Sequence, residues 1–251
     1  MMESVPHPPL VAVPHPFATA LTDAMVDIHR RGWCDGTGGN FSCVMERQPL
    51  RLLMAPSGVD KGRVQPDALI TVDGSGSVVD GNGKASAETA LHLAIVQTCG
   101  AGAVLHTHSQ AGTLLSQWVL RRDPVTRASG EGHLELRDLE MLKGLEGFSS
   151  HDCVVRVPVL ANDQTLPRLA ARALPVLANA PHGLLIAGHG LYAWGCDLQT
   201  ARRHLEILEF LLEQYWRQLL LEAMLTPAQA SAGTVVDQSG RDNLAEAPAG
   251  T

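Results

Sequence analysis

Two histidines separated by one residue, His106 and His108, are the clearest chemical feature of this sequence. They follow an apolar run, and residues 104–109 as a whole are typical of a β-strand. Side chains two apart in a strand point to the same face of the sheet, so the two imidazoles would lie side by side. The pair therefore predicts a metal site, with structural hydrogen bonding as the alternative.

A catalytic zinc site usually has three protein ligands and one open position, so two histidines are not enough. Of the eleven histidines, His189 is the best third candidate, because it stands between two glycines after an apolar strand, where the chain must turn. His182, in a loop, is the second candidate. We expect His92 in the core and His204 on an exposed part of a helix.

The elements that must position these residues alternate along the chain, which predicts an α/β protein. Helices are expected at residues 17–31, 86–99, 110–120, 138–146, 165–179 and 198–225. Strands are expected at residues 41–45, 50–55, 104–109, 154–160, 184–187 and 191–194, with a hairpin within 67–84. The hairpin makes a mixed or antiparallel sheet more consistent with the pattern than a parallel one.

The composition is that of a soluble globular protein, with 251 residues, 45% hydrophobic and 18% charged. The formal net charge of −7 argues against a nucleic-acid partner. No stretch reaches the length of a membrane span, and no secretory signal is evident. The five cysteines are odd in number and lack a C-x-x-C pair, which favours reduced thiols in the cytoplasm.

The two ends of the chain differ in composition from its middle. Residues 1–16 are proline-rich and predict an extended lead-in. Residues 226–251 are rich in small and polar residues and predict a disordered tail. A single domain is therefore expected over residues 17–225.

Six segments, in order, resemble the class II aldolase/adducin superfamily. They are residues 36–42 (GTGGNFS), 55–62 (APSGVDKG), 86–89 (SAET), 106–109 (HTHS), 140–144 (EMLKG) and 188–195 (GHGLYAWG). The resemblance covers about residues 17–225. The second and fifth segments are more similar to the dehydratase branch of the superfamily than to the aldolases.

The resemblance implies a three-layer α/β/α sandwich around a mixed, largely antiparallel sheet. It assigns His106, His108 and His189 as ligands of one Zn²⁺ per subunit, which agrees with the set reached from spacing. It also implies a homotetramer with active sites at the subunit interfaces.

A phosphate site is implied by the same resemblance. Its residues would be Gly39, Asn40, Ser57, Gly58, Lys61 and Ser86. Small residues expose backbone N–H groups, and a helix N-terminus favours an anion. A plain turn at residues 36–40 and a solvated Lys61 are the alternatives. Ala85 and Ala87 depart from the aldolase pattern and leave one phosphate-binding hydroxyl missing.

Two carboxylates match catalytic positions of the superfamily. Glu140 matches the acid/base residue of the dehydratase branch, and Glu88 matches the proton-transfer carboxylate of the aldolases. The alternative for each is a surface charge, and Glu88 would then simply favour its helix N-terminus. Which of the two moves the proton is left open.

The function implied is that of a hydro-lyase. Its reaction would convert 5-methylthioribulose 1-phosphate to 2,3-diketo-5-methylthiopentyl 1-phosphate in methionine salvage. A sugar-phosphate aldolase or pentulose-phosphate 4-epimerase is the nearest alternative. A non-catalytic, adducin-like binding protein is more remote, because all three histidines are retained.

Overall fold

A computed structural model gives the structure of residues 16–225. The predicted tail, and the lead-in up to residue 15, lie outside the described residues. Pro16, assigned above to the lead-in, is instead the first residue of a helix, where a missing backbone N–H costs nothing. None of the helices within residues 16–225 combines the length and apolarity needed to cross a membrane.

Six α-helices and nine β-strands make up the described chain. The helices are α1 (Pro16–Arg30), α2 (Thr89–Cys99), α3 (Gln110–Arg121), α4 (Pro124–Ser129), α5 (Leu166–Leu177) and α6 (Leu198–Leu225). The strands are β1 (Asn40–Arg47), β2 (Leu50–Met54), β3 (Ile70–Asp73), β4 (Val78–Asp80), β5 (Ala103–Thr107), β6 (Glu131–Arg137), β7 (Val154–Leu160), β8 (Gly183–Ile186) and β9 (Gly190–Gly195).

All nine strands form one sheet in the order β4-β3-β2-β1-β5-β9-β8-β7-β6. Only the β7–β8 pair is parallel, and every other neighbouring pair is antiparallel. Apolar side chains cover both faces. One core includes Leu21 of α1, Leu115 of α3 and Leu208 of α6, and the other includes Leu91 of α2 and Leu169 of α5. The predicted α/β/α sandwich around a mixed, largely antiparallel sheet is confirmed.

The centre of the sheet positions the histidine pair. β5 lies between β1 and β9, and all five of its residues are buried. Two residues after it, Ser109 caps the N-terminus of α3, because its hydroxyl accepts the backbone N–H of Gly112 at 3.1 Å. His108 is therefore fixed between the end of a central strand and the cap of a helix.

The structure differs from the predicted elements in four places, one of which is the helix expected at residues 138–146, where a 3₁₀ helix spans only Glu140–Gly144. β5 ends at Thr107, so His108 lies beyond the strand rather than within it. α2 begins at Thr89, and Ser86 belongs to the preceding turn. α4 and β6 were not predicted, because residues 124–137 interrupt their few apolar positions with charged ones.

Candidate active site

Three imidazoles meet at the end of β5. Nε2 of His106 lies 2.9 Å from Nε2 of His108 and 3.4 Å from Nε2 of His189. With Zn–N bonds of 2.0–2.1 Å, tetrahedral ligands stand about 3.4 Å apart, so this spacing is that of a metal-ligand set. The structure thus brings together His106 and His108, predicted from strand periodicity, and His189, predicted from its place in a turn between two glycines.

The protonation of these rings also suits a metal ion. Nδ1 of His106 lies 2.9 Å from the carbonyl oxygen of Leu191, to which it donates, so the lone pair is on Nε2. Burial lowers the pKa of His106 well below its ordinary value and also lowers the pKa of His108. The Nε2 lone pair of His106, with two further imidazole nitrogens within 3.4 Å of it, makes a nitrogen donor set that fits Zn²⁺.

An aromatic ring packs against the face of the His106 imidazole. Tyr192 of β9 stacks on it with the ring centroids 3.8 Å apart and the planes 10° from parallel. Tyr192 in turn meets His92 edge-on, and Nδ1 of His92 lies 2.8 Å from the hydroxyl of Ser42. His92 is completely buried, as expected for a core histidine, but its Nε2 has no partner among the described residues.

Glycine is required where the turn carrying His189 crosses the end of β5. Gly190 has φ of +153°, and a Cβ there would stand 1.9 Å from the carbonyl oxygen of Thr107. Gly39 makes a similar approach with φ of +77°, where a Cβ would stand 2.8 Å from the carbonyl oxygen of His106. Both glycines let the backbone pass close to the histidines.

Glu88 supplies the carboxylate at this cluster. Its Oε1 lies 2.8 Å from Nε2 of His189 and 3.8 Å from Nε2 of His106. Its Oε2 accepts the side-chain amide of Asn40, which pairs with His106 across β1 and β5. Burial alone raises the pKa of Glu88, but hydrogen bonding to His189 and the neighbouring histidines outweigh it and lower the pKa to about 2.

A cavity of about 300 Å³ opens beside the histidines. Its walls include all six residues expected to bind phosphate, together with Glu88, His108 and His189; the six are Gly39, Asn40, Ser57, Gly58, Lys61 and Ser86. Small side chains and exposed backbone line most of this wall, which suits an anion.

Lys61 is a buried cation in that wall. Only 1% of the residue is exposed, which excludes the solvated surface charge considered as the alternative. Nζ donates to the carbonyl oxygens of Thr37 and Val59, both at 3.0 Å, and thereby fixes the glycine-rich loop. Burial lowers the pKa of Lys61, while nearby acidic groups, Glu88 among them, oppose this.

The loop between β7 and α5 forms a further wall that the sequence did not indicate. Asn162, Asp163 and Gln164 of this loop line the cavity, together with Leu166, the first residue of α5. Asp163 is held by Arg168, whose Nη2 donates to Oδ1 at 2.8 Å, and by the backbone N–H of Thr165 at the same distance. In retrospect, the sequence offers one indication of this wall, which is that polar residues follow soon after the apolar strand β7.

Glu140 lies elsewhere on the chain. It begins a 3₁₀ helix, Glu140–Gly144, that contacts α6. Its side chain is 70% exposed and pairs with Lys143. Among the described residues it lines neither the cavity nor the histidine cluster.

His182 and His204 form a separate group with Glu146. Their rings stack with centroids 4.2 Å apart. Nδ1 of His204 donates to the carbonyl oxygen of Trp194 at 2.7 Å, and its Nε2 accepts the backbone N–H of Glu146 at 3.3 Å. His204 is completely buried, so its predicted exposure was wrong, and His182 does not join the first cluster.

Comparison with known proteins decides the family. The model of the class II aldolase and adducin N-terminal domain matches residues 19–216. The chain belongs to the class II aldolase/adducin family. Its methylthioribulose-1-phosphate dehydratase relatives include that of Pectobacterium atrosepticum, 39% identical over 82% of this chain and 96% of the relative. That of Methylococcus capsulatus is 41% identical over 78% and 91%.

Solved structures of the class II aldolase family share the fold. The YgbL protein of Escherichia coli, described as a putative aldolase/epimerase/decarboxylase, has a TM-score of 0.67 and 24% identity over 80% of this chain and 88% of its own. The L-fuculose-1-phosphate aldolase of Thermus thermophilus has a TM-score of 0.60 and 26% identity over 83% and 96%.

Proposed function

We propose that this protein is a zinc-dependent methylthioribulose-1-phosphate dehydratase of methionine salvage. The observation that carries the proposal is the convergence of three Nε2 atoms and one carboxylate beside a cavity lined by small residues and a buried lysine. Curated relatives of that name, about 40% identical over most of their length, support the same activity.

His106, His108 and His189 would hold the zinc ion, which when bound supplies a Lewis acid for the C2 carbonyl and C3 hydroxyl oxygens of the ketose. Gly39, Asn40, Ser57, Gly58, Ser86 and Lys61 would bind the phosphate. Binding through backbone N–H groups and one lysine positions the C3–C4 bond next to the carboxylates.

Proton transfer is assigned to Glu140, contributed by a neighbouring subunit of a homotetramer. It would take the proton from C3 and return one to the leaving C4 hydroxyl. The large exposed fraction of Glu140, and its absence from the cavity lining and histidine cluster of its own chain, support this arrangement. Glu88 is already bound to Asn40, and its low pKa makes it a weak base; its charge would instead stabilise the histidine-bound cation.

Residues 17–225 would form one catalytic domain, with residues 1–16 and 226–251 as flanking segments. The cytoplasm is the proposed compartment, because Cys34, Cys43, Cys99, Cys153 and Cys196 are all free thiols.

A substrate panel tests the proposed activity. The zinc-loaded protein should show the highest kcat/KM with 5-methylthioribulose 1-phosphate, and much lower values with L-fuculose 1-phosphate and L-ribulose 5-phosphate. A preference for either of the latter would instead support an aldolase or a 4-epimerase. Absence of activity on all three would favour a binding protein.

A further inference from the structure

The residue between the two histidines is tied to a buried acid on the other side of the sheet. Thr107 points away from His106 and His108, towards α6, because side chains alternate along a strand. Its hydroxyl donates a hydrogen bond to Oε1 of Glu209. Glu209 is completely buried, and its Oε2 has no partner among residues 16–225.

His108 depends on its neighbours more than His106 does. His106 lies within β5, and its ring is fixed by the carbonyl oxygen of Leu191 and by Tyr192. His108 lies beyond the strand, where its backbone N–H donates to the carbonyl oxygen of Trp33 at 2.7 Å. No hydrogen bond to its Nδ1 is found among the described residues. Apart from its contacts with the other two histidines, the position of its ring therefore depends on where the backbone places it.

Glu209 influences the residues on both sides of His108. Burial raises the pKa of the Glu209 carboxyl to about 7, and side-chain hydrogen bonding from Ser109 and Thr107 opposes the rise. The hydrogen bond formed in the structure is the one from Thr107, and Oε2 of Glu209 has no partner among residues 16–225. Thr107 directly precedes His108, so the carboxyl group anchors the backbone on one side of it, while Ser109 on the other side caps α3.

We propose that Glu209 is a positioning residue, which holds the segment from Thr107 to Ser109 so that His108 joins His106 and His189 around the metal ion. This inference rests on the zinc site of the proposed function. A buried carboxyl with an unsatisfied oxygen costs stability, and a leucine of similar size would remove that cost. The hydrogen bond that Glu209 accepts from Thr107 explains why a carboxyl group is present at this buried position of α6 in spite of that cost.

The test compares Glu209→Leu with Glu209→Gln, which keeps a carbonyl oxygen that can accept from Thr107. Glu213→Gln is the control, because Glu213 lies one turn further along α6 and pairs with exposed Arg217. Thr107→Val removes the other partner of the hydrogen bond and serves if the Glu209 variants do not fold. Each protein is measured for zinc affinity against a competing chelator and for the visible spectrum of bound Co²⁺, which reports ligand geometry.

Glu209→Leu and Thr107→Val should each bind zinc about 10-fold or more weakly and shift the Co²⁺ bands. The double variant should bind zinc little more weakly than either single variant, because both substitutions remove the same hydrogen bond. Glu209→Gln and Glu213→Gln should resemble the original protein. Unchanged zinc affinity and an unchanged Co²⁺ spectrum in folded Glu209→Leu or Thr107→Val would overturn this inference but leave the proposed zinc site standing. Failure of the original protein to bind zinc would overturn the proposed site and this inference with it.

Discussion

Oε1 of Glu88 lies 2.8 Å from Nε2 of His189, the nitrogen that also faces His106. The carboxylate is therefore the fourth donor of the cluster, alongside three imidazoles. Because the pKa of Glu88 is lowered to about 2, it carries a negative charge throughout the neutral pH range. One negative charge beside the three imidazoles increases the attraction of the site for a divalent cation.

Replacement of Glu88 should therefore weaken metal binding. Glu88→Gln keeps the shape and the contact with Asn40 but removes the charge, and zinc affinity should fall about 10- to 100-fold. Competition with a chelator measures the affinity. Glu140→Gln is the matched control and should bind zinc normally. Equal affinity in Glu88→Gln and the original protein would show that Glu88 has no part in holding the metal.

Glu140 should act across a subunit interface. Glu140→Gln should retain zinc and lose about 10²-fold or more in kcat, because the general acid/base is missing. Mixing it with inactive His106→Ala under conditions of subunit exchange should restore activity, since some sites would combine the histidines of one subunit with Glu140 of the other. The same two variants, mixed without subunit exchange, provide the control. No recovery in exchanged oligomers that contain both variants would contradict the assignment.

Lys61 should contribute to phosphate binding. Lys61→Met removes the buried cation of the cavity wall and its hydrogen bonds to Thr37 and Val59. We expect KM and the inhibition constant for inorganic phosphate to rise about 10-fold or more, because a charged hydrogen bond contributes about 1.5–3 kcal/mol. Lys84→Met is the control, since Lys84 is exposed and does not line the cavity. A similar change in both variants would mean that bulk charge, not Lys61, attracts the anion.

Glu209 should make stability depend on pH in a defined direction. Burial raises its pKa in the folded state from 4.5 to about 7, so the folded state binds more protons than the unfolded state between these values. Stability should therefore fall as the pH rises through this interval, by about 3 kcal/mol at most.

The difference between the original protein and Glu209→Gln isolates this effect, because all other ionisable groups are present in both. Urea unfolding of metal-free samples at about pH 5 and about pH 8 should show that Glu209→Gln gains stability relative to the original protein at the higher pH. A constant difference between the two proteins would mean that Glu209 has an ordinary pKa. Glu213 is the nearest other acid that affects it, so Glu213→Gln is measured in parallel.

The sequence predicted the elements whose patterns are local. The amphipathic spacing of residues 198–225 predicted α6, Leu198–Leu225. The two-residue periodicity of a strand predicted that His106 and His108 lie on the same face of the sheet, and their Nε2 atoms are 2.9 Å apart. Relationships between distant segments could not be read in this way. Glu209 and His204 occupy α6 at positions that look polar and exposed, yet both are completely buried, because β5 and β9 supply their partners.

The position of Glu140 could not be predicted for a similar reason. Its motif matches the dehydratase branch, but sequence similarity does not show that the side chain lies outside the cavity and the histidine cluster of its own chain. The wall formed by Asn162 and Gln164 was also missed, since polar residues after a strand are common in ordinary turns. Only the position of β7 within the sheet, and of α5 packed against it, brings this loop to the cavity that His108 also lines.

The mass of the product formed from 5-methylthioribulose 1-phosphate tests the central claim most directly. The zinc-loaded protein should convert the substrate into one phosphorylated product that has lost one water molecule. Protein stripped of metal and the His106→Ala variant should both leave the substrate unchanged. Added zinc should restore the activity of the stripped protein but not that of His106→Ala. Two smaller fragments, an isomer of unchanged mass, or full dehydration without bound metal would contradict the account.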